Sequence, residues 1–142
     1  MSFLLDTNVV SEGARPRPDP RVAAWLAEVD EDCVFISVVT IGEIRHGIER
    51  LPASRRKDRL DEWLRHELPQ RFEGRVLPVD TNVAHAWGTI VAERERTGRP
   101  IGTMDAFVAA TADVHALTLV TRNDSDFRSS VKTIFNPWTE SS

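Results

Sequence analysis

Short apolar runs alternate with helical patterns along the whole chain, and this alternation constrains the fold more than any other feature. Between the runs, apolar residues recur at helical spacing, as in Val22, Trp25, Leu26 and Val29. Strands separated by helices form βαβ units, so we predict an α/β fold with a central, mainly parallel sheet. The predicted strands are 3–5, 34–37, 76–79, 117–121 and a last one near 133–135.

Length and composition predict one folded domain that spans residues 1–142. Hydrophobic residues make up 41% of the 142 residues and charged residues 28%, which suffices for a core without disulfides. The single cysteine, Cys33, lies in an apolar stretch and fits a reducing cytoplasm. We find no signal peptide and no apolar run of membrane-spanning length, so we expect a soluble, cytoplasmic protein.

The net charge of −4 has the wrong sign for a protein that binds nucleic acid through bulk electrostatic attraction. This argues against a simple basic DNA-binding module. It leaves room for an enzyme that meets phosphates through bound cations, because such a site requires clustered acids.

Carboxylates occur in otherwise apolar settings at several strand ends and helix starts. Asp6 follows the first strand, and Asp124 and Asp126 follow the strand LTLVT. Glu43 lies between Ile41 and Ile44 in a helix, and Asp105 lies one turn into an alanine-rich helix. The carboxyl ends of parallel strands meet at one edge of the sheet, where ligands bind. The acids are therefore expected to converge there.

Each acid also has a purely structural explanation. Asp6 could cap the helix that begins at Thr7, and Glu43 could pair with Arg45 or Arg50 at the surface. Asp105 could hold the cap at Thr103, and Asp124 could shape a turn. Taken together, however, carboxylates near a core face are costly unless they are paired or bind a metal. An all-oxygen donor set without a Cys/His cluster favours Mg²⁺ or Mn²⁺ over Zn²⁺.

Four stretches of the chain resemble the acidic motifs of PIN-domain ribonucleases, in order and at the expected spacing. They are LLDTNVVSE, ISVVTIGEIRHGI, IGTMDAFVAATA and LVTRNDSDF. They are most similar to the VapC toxins of type II toxin–antitoxin systems, and the ending FNPW resembles the FitB-like branch.

The resemblance implies a three-layer α/β/α PIN fold with an acidic pocket that holds Mg²⁺ or Mn²⁺. The implied activity is endonucleolytic cleavage of RNA by a toxin that forms a homodimer. The implied partner is a small antitoxin whose C-terminal segment lies across a groove near the active site, and DNA would be contacted only indirectly, through the antitoxin. Trp63 and Trp87, on amphipathic helices, are expected at such interfaces.

Carried over by motif, Asp6 is the first acid, Glu43 the second and Asp105 the third. In the fourth motif Asn123, Asp124 and Asp126 compete, and Asp126 before Phe127 is the firmest match. The catalytic candidates are Asp6, Glu43, Asp105, Asp124 and Asp126, and the metal-ligand candidates are Asp6, Asp105 and Glu43. Thr7, Asn8 and Thr121 match the polar residues that accompany the acids.

The densest basic run has two interpretations. A solvated helix face explains it as well as a surface that follows the RNA backbone. The run comprises Arg50, Arg55, Arg56, Lys57 and Arg59, with Arg45 nearby.

Two rival functions follow from the same residues. A non-catalytic, partner-binding regulator with a PIN fold would be expected to lack some of the acids, whereas here every motif is filled. A metal-dependent phosphatase of another α/β family would carry an Asp-x-Asp motif at a strand end, whereas Asp6 is followed by Thr7 and Asn8.

Overall fold

A five-stranded sheet forms the centre of the computed structural model, which describes residues 1–140. All neighbouring strands are parallel, in the order β3-β2-β1-β4-β5. The strands are β1 (Phe3–Leu5), β2 (Val34–Ser37), β3 (Val76–Leu77), β4 (Thr118–Val120) and β5 (Ile134–Phe135).

Helices connect the strands. They are α1 (Thr7–Gly13), α2 (Pro20–Glu28), α3 (Val38–Glu49), α4 (Arg55–Glu62), α5 (Leu68–Arg71), α6 (Thr81–Arg96), α7 (Thr103–Val114) and α8 (Asp124–Phe127). A 3₁₀ turn, Glu31–Cys33, precedes β2, and a π-helical turn, Trp63–Glu67, joins α4 to α5.

Side-chain oxygens fix where several helices begin. Asp6, Asp19, Ser37 and Asp80 each accept a backbone N–H in the first turn of α1, α2, α3 and α6, respectively. Such caps satisfy amides that have no partner inside the helix. Both interpretations of Asp6 therefore describe the same residue, because it caps α1 and also lies at the carboxyl end of β1.

Two apolar layers cover the two faces of the sheet. On one face, residues such as Val9, Trp25 and Ile48 from α1, α2 and α3 pack against Leu5 and Ile36. On the opposite face, residues of α7 and the segment around α8 pack against Leu4 and Leu119, with α6 at the margin. The predicted three-layer α/β/α architecture is confirmed.

β2 and β3 lie on one side of β1 in the sheet, and β4 and β5 lie on the other side of β1. The backbone N–H of Asp6 donates to the carbonyl of Val120, at 2.9 Å, which joins the carboxyl ends of β1 and β4. This is the point where the strand order reverses, and open α/β sheets place their ligand crevices at such points.

The strand predicted over 76–79 is shorter in the structure, since β3 ends at Leu77. Two further segments differ from what local spacing alone indicates. The charged, amphipathic segment 54–67 forms α4 and the π-helical turn, α5 follows it, and this arrangement buries Leu64, Leu68 and Phe72 against the core. The polar segment 122–127 contains α8, which buries Phe127 completely. Both differences follow from long-range packing, which local spacing does not encode.

Cys33 is half-buried, less enclosed than its apolar neighbours suggested. Across residues 1–140, no helix has the length and apolar character needed to cross a membrane.

Candidate active site

The carboxylate of Asp6 is almost completely buried, with 4% of the residue exposed. One oxygen, Oδ1, accepts the backbone N–H of Thr7 at 2.8 Å. The other, Oδ2, accepts the hydroxyl of Thr121 at 2.8 Å and the amide of Asn8 at 3.3 Å. These donors are neutral, so they orient the carboxylate without cancelling its charge.

A second acid is held by the residue next to Asp6. The hydroxyl of Thr7 lies 2.7 Å from Oε1 of Glu43 and 3.1 Å from the hydroxyl of Thr40. Because a hydroxyl has one proton, Thr7 donates it to the carboxylate, and the buried Thr40 donates in turn to Thr7. This chain of hydrogen bonds connects α1 to α3 and fixes Glu43 beside the Asp6 turn.

The loop after β4 is tied to the same turn. The N–H of Arg122 donates to the side-chain oxygen of Asn8 at 3.3 Å, and the N–H of Asn123 donates to the hydroxyl of Thr121 at 3.0 Å. Asn8 and Thr121 thus bridge the carboxyl ends of β1 and β4. Both residues satisfy backbone groups and contact Asp6 at the same time.

Burial raises the pKa of Asp6 to about 6; the negative charges of Asp105 and Glu43 add to this, and the hydrogen bonds from Thr121 and Thr7 oppose it. The pKa of Asp105 is also raised, first by partial burial and then by the charges of Glu43 and Asp126. The structure therefore brings Asp6, Glu43 and Asp105 within range of one another's charge, and Asp126 within range of Asp105.

The two acids of the fourth motif have different surroundings. Asp124 accepts the N–H of Ser125 and forms an ion pair with Arg128 at 3.2 Å. Asp126 is exposed, and its charge contributes to the raised pKa of Asp105. Asp126 thus couples electrostatically to the acidic cluster, while Asp124 has a cation partner of its own.

The acids fit a hard divalent cation through their chemistry. All the charged donors are carboxylate oxygens, and none of the four acids in the cluster forms an ion pair with Lys or Arg within residues 1–140. In the same part of the chain, no three His, Cys, Asp or Glu side chains are grouped closely enough to hold a metal ion. The carboxylates therefore interact through their charges but are too far apart to coordinate one ion as they stand. A bound ion would have to draw them together.

Sequence reasoning missed Arg94, which is buried at the end of α6. Its guanidinium donates to the carbonyl of Arg99 at 2.6 Å, to the carbonyl of Asp126 at 3.0 Å and to the hydroxyl of Ser130 at 3.0 Å. Arg94 thus anchors the segment that carries Asp126. It lies in the charged string ERER, so nothing in the local pattern marked it as buried.

Comparisons with known proteins agree with this geometry. The model of the PIN domain family matches residues 3–131. The chain therefore belongs to the PIN domain family.

Its relatives include two curated proteins. Toxin FitB of Neisseria gonorrhoeae is 39% identical over 96% of this chain and 98% of its own length. VapC ribonuclease Y4jK of Sinorhizobium fredii is 34% identical over 96% of this chain and 97% of its own length.

Solved structures give the same result. The crystal structure of FitAcB from Neisseria gonorrhoeae is 38% identical and superposes with a TM-score of 0.90, covering 97% of this chain and 99% of that one. Other similar structures include VapBC complexes, among them a DNA-bound one and a member of the VapBC family of toxin–antitoxin systems.

We predict that Asp6→Asn stabilises the metal-free chain at neutral pH. The raised pKa means that ionised Asp6 destabilises the folded state, by up to about 3 kcal/mol for a shift of this size. Asn keeps the oxygen that accepts the Thr7 amide but offers its NH₂ group where Oδ2 accepted two donors. The expected net gain at pH 7.5 is therefore about 1–2 kcal/mol. Denaturant unfolding in the presence of a chelator measures it.

The direction of the Asp6 pKa shift determines the pH at which the control measurement is made. The folded-state pKa of about 6 lies above the ordinary value of 3.8, so the penalty is present above pH 6 and disappears as the pH falls towards 4. The advantage of Asp6→Asn should therefore shrink or reverse at pH 4. An Asp6→Asn protein that is less stable than the parent at pH 7.5 would mean that capping dominates the role of Asp6.

Proposed function

We propose that this chain is a metal-dependent endoribonuclease that acts as the toxin of a toxin–antitoxin pair. The observation that carries the proposal is the cluster of acids around buried Asp6. The charges of Asp105 and Glu43 act on Asp6, those of Glu43 and Asp126 act on Asp105, and none of the four acids is paired with Lys or Arg within residues 1–140. The names of the relatives support the same activity, since one is a toxin and another a ribonuclease.

Asp6 and Asp105 would hold the principal Mg²⁺ or Mn²⁺ ion, and Glu43 and Asp126 would complete the site. When bound, such an ion lowers the pKa of a coordinated water and neutralises charge that develops on the phosphodiester. The chain's own residues orient the ligands: Thr121 and Asn8 hold Asp6, and Thr7 holds Glu43. The buried base of the crevice limits competing solvent around Asp6.

We further propose that residues 1–142 form a single PIN domain that works in the cytoplasm. The family model and the relatives span nearly the whole chain, which supports one unit. Cys33 is a free thiol, in keeping with a reducing compartment. The alternative, a non-catalytic regulator, is disfavoured because none of the acids is missing and four of them are coupled.

A groove beside the acids supports the proposal that an antitoxin covers the site. Thr7 and Glu43 line one end of it, while Ile48, Leu60 and Trp63 contribute apolar surface. Arginines at positions 15, 56 and 59 also line it. An amphipathic segment with apolar and acidic side chains fits such a lining, and a cationic side chain at its end could pair with the carboxylates. DNA would be contacted through this antitoxin.

Exposed apolar side chains support self-association into a homodimer. Val38, Val79 and Met104 are 41%, 37% and 47% exposed, and each follows or begins an element near the carboxyl edge of the sheet. Trp87 is half-buried, stacks on Phe107 and donates its indole N–H to the carbonyl of Thr103. Large apolar side chains that remain exposed favour such an interface, because burying them against a second copy removes them from water.

We predict that the chain cleaves single-stranded RNA with Mg²⁺ or Mn²⁺ and that chelator abolishes cleavage. Asp105→Asn should lower kcat/KM by more than about 100-fold, which exceeds the usual cost of losing an outer partner of a metal ligand. The measurement uses a mixed pool of labelled small RNAs, followed by the strongest substrate. Full activity in chelator, or in Asp105→Asn, would contradict metal-dependent cleavage at this cluster.

The two acids of the fourth motif should differ in effect. Asp126→Asn removes a charge that Asp105 senses, so kcat should fall by at least about 10-fold. Asp124→Asn breaks the ion pair with Arg128 on the surface of α8 and should cost far less. Parallel kcat measurements on the two variants decide between them, and the opposite ranking would assign the fourth acid to Asp124.

Gly47 allows a test of the groove without loss of packing. It lies in α3, lines the groove, and a Cβ built on it meets nothing within 4 Å. Gly47→Phe should reduce inhibition by the antitoxin at least about 10-fold, with kcat/KM within about twofold of the parent. The matched control is Gly47→Ala, which should remain fully inhibited. Equal inhibition of both variants would exclude the groove as the antitoxin's binding surface.

A further inference from the structure

The backbone of Arg122 is fixed on both sides at the edge of the acidic crevice. Its N–H donates to the side-chain oxygen of Asn8 at 3.3 Å, and its carbonyl accepts the side-chain amide of Asn136 at 3.2 Å. The amide of Asn8 in turn lies 3.3 Å from Oδ2 of Asp6. Arg122 is therefore joined to the central carboxylate through a single intervening side chain.

The side chain of Arg122 rests on an aromatic ring. Its guanidinium carbon lies 5.2 Å from the centroid of Trp138. Trp138 is 5% exposed, and its backbone N–H donates to the side-chain oxygen of Asn136 at 2.9 Å. The side chain of Asn136 thus binds both the backbone carbonyl of Arg122 and the backbone N–H of Trp138. A guanidinium that lies over a ring can still direct its N–H groups to a ligand.

Arg122 has no carboxylate partner within 4.0 Å in the described residues 1–140. Some other exposed arginines have such a partner, as shown by Arg65 with Asp61 at 3.0 Å and Arg128 with Asp124 at 3.2 Å. Arg122 is exposed, and the nearby Asp124 is already engaged by Arg128. The ring thus helps to order its positive charge, which has no anionic partner among residues 1–140.

We propose that Arg122 is a phosphate-binding residue for the RNA substrate and that Trp138 and Asn136 hold it in position. The inference rests on the proposed ribonuclease function. The planar fork of arginine matches two phosphate oxygens, and an already ordered side chain loses less conformational entropy on binding. Clustered acids in a chain of net charge −4 disfavour the approach of phosphates, and a cation at the edge of the crevice offsets this repulsion along the path of the strand.

The competing explanation is structural, because an exposed cation–π contact can contribute modestly to the stability of a fold. The two roles differ in what they change. A stabilising contact changes the melting temperature and leaves KM alone, whereas a phosphate contact changes KM and the salt dependence and leaves folding intact.

The test compares Arg122→Ala and Arg122→Lys with Lys132→Ala in the full-length chain. Lys132 is exposed and precedes β5, at the opposite edge of the sheet, so its replacement removes the same charge far from the crevice. Cleavage of a short fluorescent single-stranded RNA in Mg²⁺ gives kcat and KM at several KCl concentrations. Circular dichroism melting checks the fold of each variant.

Arg122→Ala should raise KM about 10-fold with kcat within about twofold, as expected for one lost charged contact. The slope of log(kcat/KM) against log[KCl] should become shallower by about 0.7, the value for one phosphate contact with a single strand. Arg122→Lys should be intermediate, because it keeps the charge and loses the fork, and Lys132→Ala should match the parent.

Unchanged KM and salt slope in Arg122→Ala would overturn the inference, as would a loss confined to kcat. If the parent and Lys132→Ala also fail to cleave or bind RNA, the proposed ribonuclease function has failed instead. The positioning role is tested by Trp138→Leu, which should raise KM in the parent but not further in the Arg122→Ala background. An equal rise in both backgrounds would show that Trp138 does not act through Arg122.

Discussion

The burial of one carboxylate, that of Asp6, is the constraint on which the site depends. Parallel strands direct every carboxyl end to one edge, and β1 lies between β2 and β4, so Asp6 sits in the deepest part of that edge. Its neighbours Thr7 and Thr121 donate hydrogen bonds and supply no positive charge. The fold therefore retains a poorly solvated negative charge, a cost that proteins commonly accept at sites of function.

Several arginines on or beside the elements that carry the acids have partners outside the acidic cluster. Arg94 donates hydrogen bonds to two backbone carbonyls and to Ser130. Arg128 pairs with Asp124, and Arg45 pairs with Glu49 and Asp61. These arginines shape the loops and helices that carry the acids while leaving the carboxylates of the cluster unneutralised. The arginines thus stabilise the surrounding loops and helices, while the carboxylates of the cluster keep their negative charge unpaired.

The sequence predicted the sheet and the acids because both are encoded locally. An apolar run followed by Asp6 or Ser37 contains the strand, its end and the helix cap within a few residues. Spacing alone did not separate Asp124 from Asp126, because that difference depends on the ion pair with Arg128 and on the distance to Asp105. Arg94 and Arg122 were missed for the same reason, since their partners lie far along the chain or in backbone groups.

The segment from Asn136 to Trp138 shows how the periphery and the centre of the site are connected. Asn136 accepts the Trp138 amide, donates to the Arg122 carbonyl, and so links the chain after β5 to the loop after β4. That loop in turn holds Asn8 and, through Thr121, the carboxylate of Asp6. Backbone groups carry most of these links, so the loop can keep its geometry while the exposed guanidinium of Arg122 meets a ligand. An edge built in this way combines a buried acidic centre with an exposed cation beside it, the arrangement that the proposed binding of a metal ion and a polyanion would use.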